Sequence, residues 1–203
     1  MDEYRLRFFL NNATTWWVFS MAEVDVRMEA ILEAAEQGEA TIMATLFDMA
    51  SLPIDTPGED GDTALHMGCL YGQLAVVREC LRRGASATAC DEDGSTPLHD
   101  ASAGGHYDIA SLLLDHGASV FTKDNDGDTP LHLASNGGHS SVADLLISRA
   151  GGQSSQLLVD LLGTKNEMGQ KPIDLAEDPT LMTKLRIAAG DEDAEGPVAK
   201  RRA

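Results

Sequence analysis

The sequence is poor in aromatic residues, poor in cations and without a long apolar run. Phe, Trp and Tyr make up 5% of its 203 residues, and six of the ten (Tyr4, Phe8, Phe9, Trp16, Trp17 and Phe19) fall within the first twenty. The remaining chain has to build its core from Ala, Leu, Val and Ile, as closely packed helices do. Lys and Arg number 15 against 33 Asp and Glu, a formal net charge of −18. Such a balance argues against binding a phosphate backbone, which needs clustered cations, and against an anionic membrane surface. A protein partner with a basic or mixed-charge surface is the natural electrostatic counterpart; acidity that serves only solubility is the competing reading.

Cysteine is scarce as well. Cys69, Cys80 and Cys90 cannot all pair, and their spacing suits neither a zinc site nor a redox motif. Reduced thiols imply a cytoplasmic or nuclear setting. The longest uncharged N-terminal run, Phe8 to Ala22, has 15 residues and carries Asn, Thr and Ser, short of the roughly 18 needed to span a bilayer. Asp2 and Glu3 make it a poor signal peptide, so the sequon at Asn12 has no glycosylating compartment to act in.

What the sequence does contain is a repeat. Gly61-Asp62-Thr63-Ala64-Leu65-His66, Gly94-Ser95-Thr96-Pro97-Leu98-His99 and Gly127-Asp128-Thr129-Pro130-Leu131-His132 place their threonines 33 residues apart, and Gly72, Gly105 and Gly138 keep the same step. Residues 91–114 and 124–147 are identical at 15 of 24 positions, which excludes coincidence.

One unit, residues 91–123, can be read physically. Asp91-Glu92-Asp93-Gly94 is a polar turn with Gly available for positive φ. Thr96 suits a helix N-cap, and Pro97 suits the first helical position, where its missing N–H costs nothing. Leu98, Ala101 and Ser102 share a helical face until Gly104-Gly105 ends this short helix. A second helix is predicted from about Tyr107 to His116, with Ile109, Ala110, Leu113 and Leu114 at core spacing, ended by Gly117. Neither helix is long enough to persist alone in water, so each pair must stack on its neighbours, as in a solenoid.

Thr-Pro-Leu-His, Gly105-His106, Leu112-Leu113-Leu114 and Gly117-Ala118, recurring at this period, resemble the ankyrin repeat. The resemblance is strong over residues 58–150. It implies an all-α solenoid of stacked helix-turn-helix units with finger-like turns and a concave palm lined by the first helix of each unit. Repeats are expected at 58–90, 91–123 and 124–156, within an array covering 24–189. Residues 24–57 form an N-terminal cap around Ile31, Leu32, Ala34 and Gly38, with Ile42, Met43, Leu46 and Phe47 on its second helix. Residues 166–189 form a C-terminal cap in which Lys171 and Asp174 replace the family's Thr and His. An insertion at 157–165 is preceded by Gly151-Gly152-Gln153-Ser154-Ser155, read as loop, with Leu157, Leu158, Leu161 and Leu162 adding a helical turn. Residues 1–20 fit no part of the repeat; they read as an extension ahead of a start at Met21 or as an amphipathic targeting segment. Residues 190–203 read as a disordered acidic tail ending in Lys200-Arg201-Arg202, too short a run to define a nuclear signal.

Several features have the outward look of chemistry. His66, His99 and His132 recur as metal ligands could, but stacked units lie about 10 Å apart, too far to share one ion; the resemblance implies that each imidazole ties adjoining turns together. Asp124-Asn125-Asp126-Gly127-Asp128 looks like the opening of a calcium loop, yet Thr129 and Ser135 stand where that loop needs Gly and a bidentate acid. Catalytic and nucleotide-binding fingerprints are missing. Cys69 takes the slot of Ser102 and Ser135, and Cys80 that of Leu113 and Leu146, so both read as small core residues. The expectation is a protein that is not an enzyme, needs no metal or cofactor, and is monomeric by itself.

Carried over residue by residue, the resemblance implies a protein-binding surface at Glu59, Asp60, Asp62, Leu70 and Tyr71, at Glu92, Asp93, Ser95 and Ala103, and at Asn125, Asp126, Asp128 and Asn136. Asp just before the turn Gly is common in the family for structural reasons, whereas Asp62 and Asp128 after it have less structural cause. Leu70 with Tyr71 reads as an anchor, and Leu70 equally as core. The roles that follow are a soluble adaptor or regulatory subunit holding a partner on acidic fingers, a competitive inhibitor mimicking an acidic ligand, or an accessory subunit of an enzyme complex.

Overall fold

The computed structural model describes residues 21–190; the N-terminal extension and the acidic tail with Lys200-Arg201-Arg202 lie outside the described residues. All regular structure among these is helical, in order α1 (Met21–Glu36), α2 (Ala40–Ala50), α3 (Ala64–Leu70), α4 (Leu74–Arg82), α5 (Pro97–Ala103), α6 (Tyr107–Asp115), α7 (Pro130–Asn136), α8 (Ser140–Gln153), α9 (Ser155–Gly163), α10 (Pro172–Leu175) and α11 (Pro179–Ala188).

The helices pair and the pairs stack. Each first helix (α1, α3, α5, α7, α10) packs on the next first helix, and each second helix (α2, α4, α6, α8, α11) on the next second helix. Two helical layers result, with one continuous core from Met28 to Leu185 between them. Equivalent residues form columns through it: Leu65, Leu98 and Leu131 in one, Cys80, Leu113 and Leu146 in another, all at most 1% exposed. Full burial of each such Leu is worth about 1.5–3 kcal/mol, far more than a seven-residue helix gains from its own hydrogen bonds. Stacking therefore holds the helices, as the repeat requires.

The start of each first helix is fixed by the Thr-x-x-His pattern. The His66 Nδ1 atom accepts from the Thr63 backbone N–H at 3.2 Å and lies 2.9 Å from its hydroxyl. The same pair of contacts measures 3.1 and 2.8 Å at Thr96/His99 and 3.1 and 2.8 Å at Thr129/His132. An Nδ1 that accepts assigns the proton to Nε2, which is thus free to donate outward. In the last unit Asp174 Oδ2 accepts from the Lys171 N–H at 2.9 Å, so a carboxylate does the work of the missing imidazole.

One segment differs from expectation. Gly151-Gly152 does not open a loop; α8 runs through both to Gln153, and α9 follows after a break at Ser154, whose hydroxyl accepts from the Leu157 N–H at 3.1 Å. Glycine costs a helix about 1 kcal/mol each, but here packing decides. Ala150 is fully buried, and a Cβ on Gly151 would sit 3.6 Å from Leu158 Cδ2 of α9.

Candidate functional site

Four turns project on one side of the stack, between successive helix pairs. The first opens on Gly58, whose N–H donates to the Asp62 carbonyl at 2.8 Å; the other three are held by the side chain of their first residue. The Asp91 carboxylate accepts from the Ser95 N–H at 2.8 Å, that of Asp124 from the N–H groups of Asp126 and Asp128 at 3.0 and 2.8 Å, and the Asn166 amide oxygen from those of Met168 and Gln170 at 3.1 and 2.9 Å. Asp and Asn favour such turns because the side chain replaces a backbone acceptor.

The turns are joined in one register. Glu92 N–H donates to the Asp60 carbonyl at 3.3 Å, Asn125 N–H to the Asp93 carbonyl at 2.9 Å, and Glu167 N–H to the Asp126 carbonyl at 2.9 Å. The neighbouring finger comes so close that a Cβ on Gly61 would lie 2.7 Å from Glu92 N, which, with φ of 81°, requires glycine there. The outer imidazole nitrogens add further ties: His99 Nε2 lies 3.2 Å from the Asp128 carbonyl and His132 Nε2 3.1 Å from that of Gln170.

A second set of ties runs along the far end of the first helices. Gln73 Nε2 donates to the Glu36 carbonyl at 2.7 Å, and His106 and His139 place Nε2 at 3.1 and 2.8 Å from the carbonyls of Leu70 and Ala103. Each satisfies a helix C-terminal acceptor that has no partner of its own. Gly72 and Gly105 leave room for these rings, since a Cβ on either would lie within 2.5 Å of one.

A family model described as ankyrin repeats, in three copies, matches residues 31–124 and 78–157. The chain belongs to the ankyrin-repeat family. No curated protein matches it. Ankyrin repeats generally mediate protein–protein interaction, and the array is a binding module of that kind; proteins built from them are typically non-catalytic. Among the described residues no helix is long and apolar enough to cross a membrane.

The ankyrin fingers and palm carry the thirteen expected contact residues as follows. Glu59, Asp60, Glu92, Asp93, Asn125 and Asp126 are exposed at the tips; Asp62, Ser95 and Asp128 are half-buried at the bases; Ala103 and Asn136 are exposed on the palm. Leu70 and Tyr71 are 43% and 47% exposed, so Leu70 lies on the surface rather than in the core. Two positions have structural duties. Asp128 Oδ1 accepts from Asn166 Nδ2 at 2.8 Å, giving this carboxylate the structural partner it lacked on paper, and Asn125 Nδ2 donates to the Glu92 carbonyl at 3.0 Å. The tip carboxylates of Asp60, Asp93 and Asp126 are exposed and project beyond the joints that their own carbonyls make.

Burial changes the chemistry of the bases. It raises the Asp62 carboxyl above its ordinary range, opposed by the nearby imidazole of His66 and reinforced by Asp91, Asp60 and Asp93. It pushes Asp100 up to about 8, with Asp62 and Asp91 adding repulsion. Cys69 and Cys80 are fully buried, and burial pushes the Cys80 thiol up to about 12; neither is a nucleophile.

Sequence reasoning passed over three residues, the half-buried Asp100 and the exposed Tyr107 and Met168. Asp100 lies on the palm. Tyr107, 46% exposed, begins α6 beside His106, and Met168, 81% exposed, occupies on the last finger the tip position held by Asp60, Asp93 and Asp126. Aligning the degenerate last turn on its glycine, Gly169 with Gly127, would have exposed the last of these.

Proposed function

We propose that the array is a non-catalytic adaptor or regulatory subunit that holds a basic segment of a partner protein across its fingers and palm. The observation that supports this reading most directly is the composition and register of the tips. Glu59, Asp60, Glu92, Asp93, Asp126 and Glu167 stand on four consecutive turns that contain no Lys or Arg, and hydrogen bonds lock those turns side by side. A preformed line of like charge loses little entropy on binding and steers an oppositely charged partner. Leu70 and Tyr71, at the far end of α3, add an exposed apolar anchor on the palm.

The test is capture of partners from an extract of cells that make the protein, on immobilised full-length chain. The wild type is compared with a variant carrying Asp60→Lys, Asp93→Lys and Asp126→Lys. These side chains are exposed, so helicity is expected to be unchanged. Retention of the captured protein should drop by tenfold or more and fall steeply with salt. Equal retention by the two forms removes the acidic-finger reading.

A further inference from the structure

The first helices of the three central units differ at one palm position. After Thr-x-Leu-His, α3 has Met67 and α7 has Leu133, but α5 has Asp100. All three are half-buried, one helical turn before Leu70, Asn136 and Ala103 respectively, and so share the palm-facing side. The Oδ2 atom of Asp100 is enclosed by protein and has no hydrogen-bond partner. The charges that act on it, Asp62 and Asp91, are both negative. Met67 and Leu133 show that the scaffold does not need an acid here, and an unpaired buried carboxyl is unfavourable by itself.

The same joint has a second unmet group. His66 is 1% exposed, yet its Nε2 atom, unlike those of His99 and His132, has no hydrogen-bond partner. The carbonyl in the matching place, that of Ser95, is near enough to favour the proton there but does not complete a bond, and Asp62 and Asp91 again face the ring. The finger-to-finger bond is also longest here, 3.3 Å between Glu92 N and the Asp60 carbonyl against 2.9 Å at the next two joints. The first of these joints thus holds an unused acceptor at Asp100 and, separately, an unused donor at His66, and Leu70 and Tyr71 at the end of α3 are exposed.

We propose that the palm between α3 and α5 receives one Arg or Lys side chain of a protein segment, its cationic head meeting Asp100 in front of Asp62 and Asp91 and its apolar stem lying along Leu70 and Tyr71. The occupant follows from charge complementarity: Asp62 and Asp91 act on Asp100 and no cation does, so a cationic group is the one that stabilises its ionised form. Long cationic side chains also cover apolar surface with their methylenes. The inference rests on the reading of a basic partner and names where its decisive charge is seated. As the cation arrives, the Asp100 carboxyl loses its proton to solvent and remains as the paired carboxylate.

The experiment uses the full chain and a set of twelve-residue peptides carrying a single Arg among apolar and neutral residues, with Gln counterparts. Affinities are measured by calorimetry at pH 7 in two buffers of different ionisation enthalpy. Arg peptides should bind at least tenfold tighter than their Gln counterparts and release up to one proton. Asp100→Leu and the isosteric Asp100→Asn should each remove the preference and the proton release without lowering the melting temperature. Equal binding of Arg and Gln peptides overturns the seat, as does undiminished Arg binding by both variants. If reversal of Asp60, Asp93 and Asp126 abolishes binding while both Asp100 variants bind normally, the acidic fingers stand and the seat falls. Loss with the Asp100 variants alone supports the seat and removes the fingers. Failure of every Arg peptide to bind removes both.

Discussion

The His99 Nε2 atom lies 3.2 Å from the carbonyl of Asp128, twenty-nine residues further along the chain. His66, in the same place one unit earlier, has no partner at Nε2. The two imidazoles are at most 1% exposed and cap their own helices alike, so they differ in one long-range hydrogen bond. Replacing His99 by Ala should therefore cost more than replacing His66, by about 1 kcal/mol. Thermal melts of the two variants should differ by roughly 2–4 °C for a chain of this size. Equal losses would show that the bond between units contributes nothing.

Finger spacing gives a second prediction. Gly127 has φ of 76°, and a Cβ there would meet Glu167 N at 3.0 Å, whereas Gly169 has φ of 77° with nothing within 4 Å. Gly169→Ala should cost about 1 kcal/mol for the backbone conformation alone. Gly127→Ala adds a push against the next finger and should cost about 1–2 kcal/mol more. Chemical denaturation that finds the two equal would mean that the fingers are not locked.

Thiol reactivity separates surface from core. Cys69 and Cys80 are fully buried and Cys90 is exposed, and burial pushes both inner thiols far from their reactive form. A thiol-specific reagent should modify one cysteine per native chain and three after denaturation. Rapid modification of a second in the native protein would contradict the packing of α3 on α4.

The titration of stability has two limbs. Burial lowers the pKa of His66, His99 and His132 in each case. The unfolded chain takes up these protons near pH 6.5 and the folded chain only below it. Their contribution is whole above about 6.5 and is lost as pH falls through the lower folded values. Asp100 runs the other way: raised to about 8 in the fold from about 3.9 unfolded, its contribution is whole below about 4 and is lost as pH rises through about 8. The melting-temperature advantage of Asp100→Asn over wild type should grow from pH 5 to pH 8 and then level off. An advantage independent of pH would show that the carboxyl is ionised throughout.

The helix pairs were legible because their signals are local. Thr96, His99, Gly104 and Gly105 lie within one helix and its cap, and the 33-residue period shows where the next copy begins. Asp100 was passed over: the repeat does show it as the one acid in a column shared with Met67 and Leu133, but its isolation depends on Asp62 and Asp91 in the neighbouring turns. The structural partner of Asp128 was hidden in the same way, since Asn166 lies thirty-eight residues on and beyond the insertion.

Sequence alone determined that this chain forms short amphipathic helix pairs that must stack, because period, caps and turn glycines act over a few residues. Tertiary structure decided the rest. It carried α8 through Gly151-Gly152, where the packing of Ala150 and Leu158 outweighs helix propensity. It left Leu70 and Tyr71 exposed, and it separated carboxylates with a structural partner, such as Asp128, from those left open to another molecule. The physical reason is distance: a side chain's burial and its hydrogen-bond partners are set by units some thirty to forty residues away, which come together only in the stack.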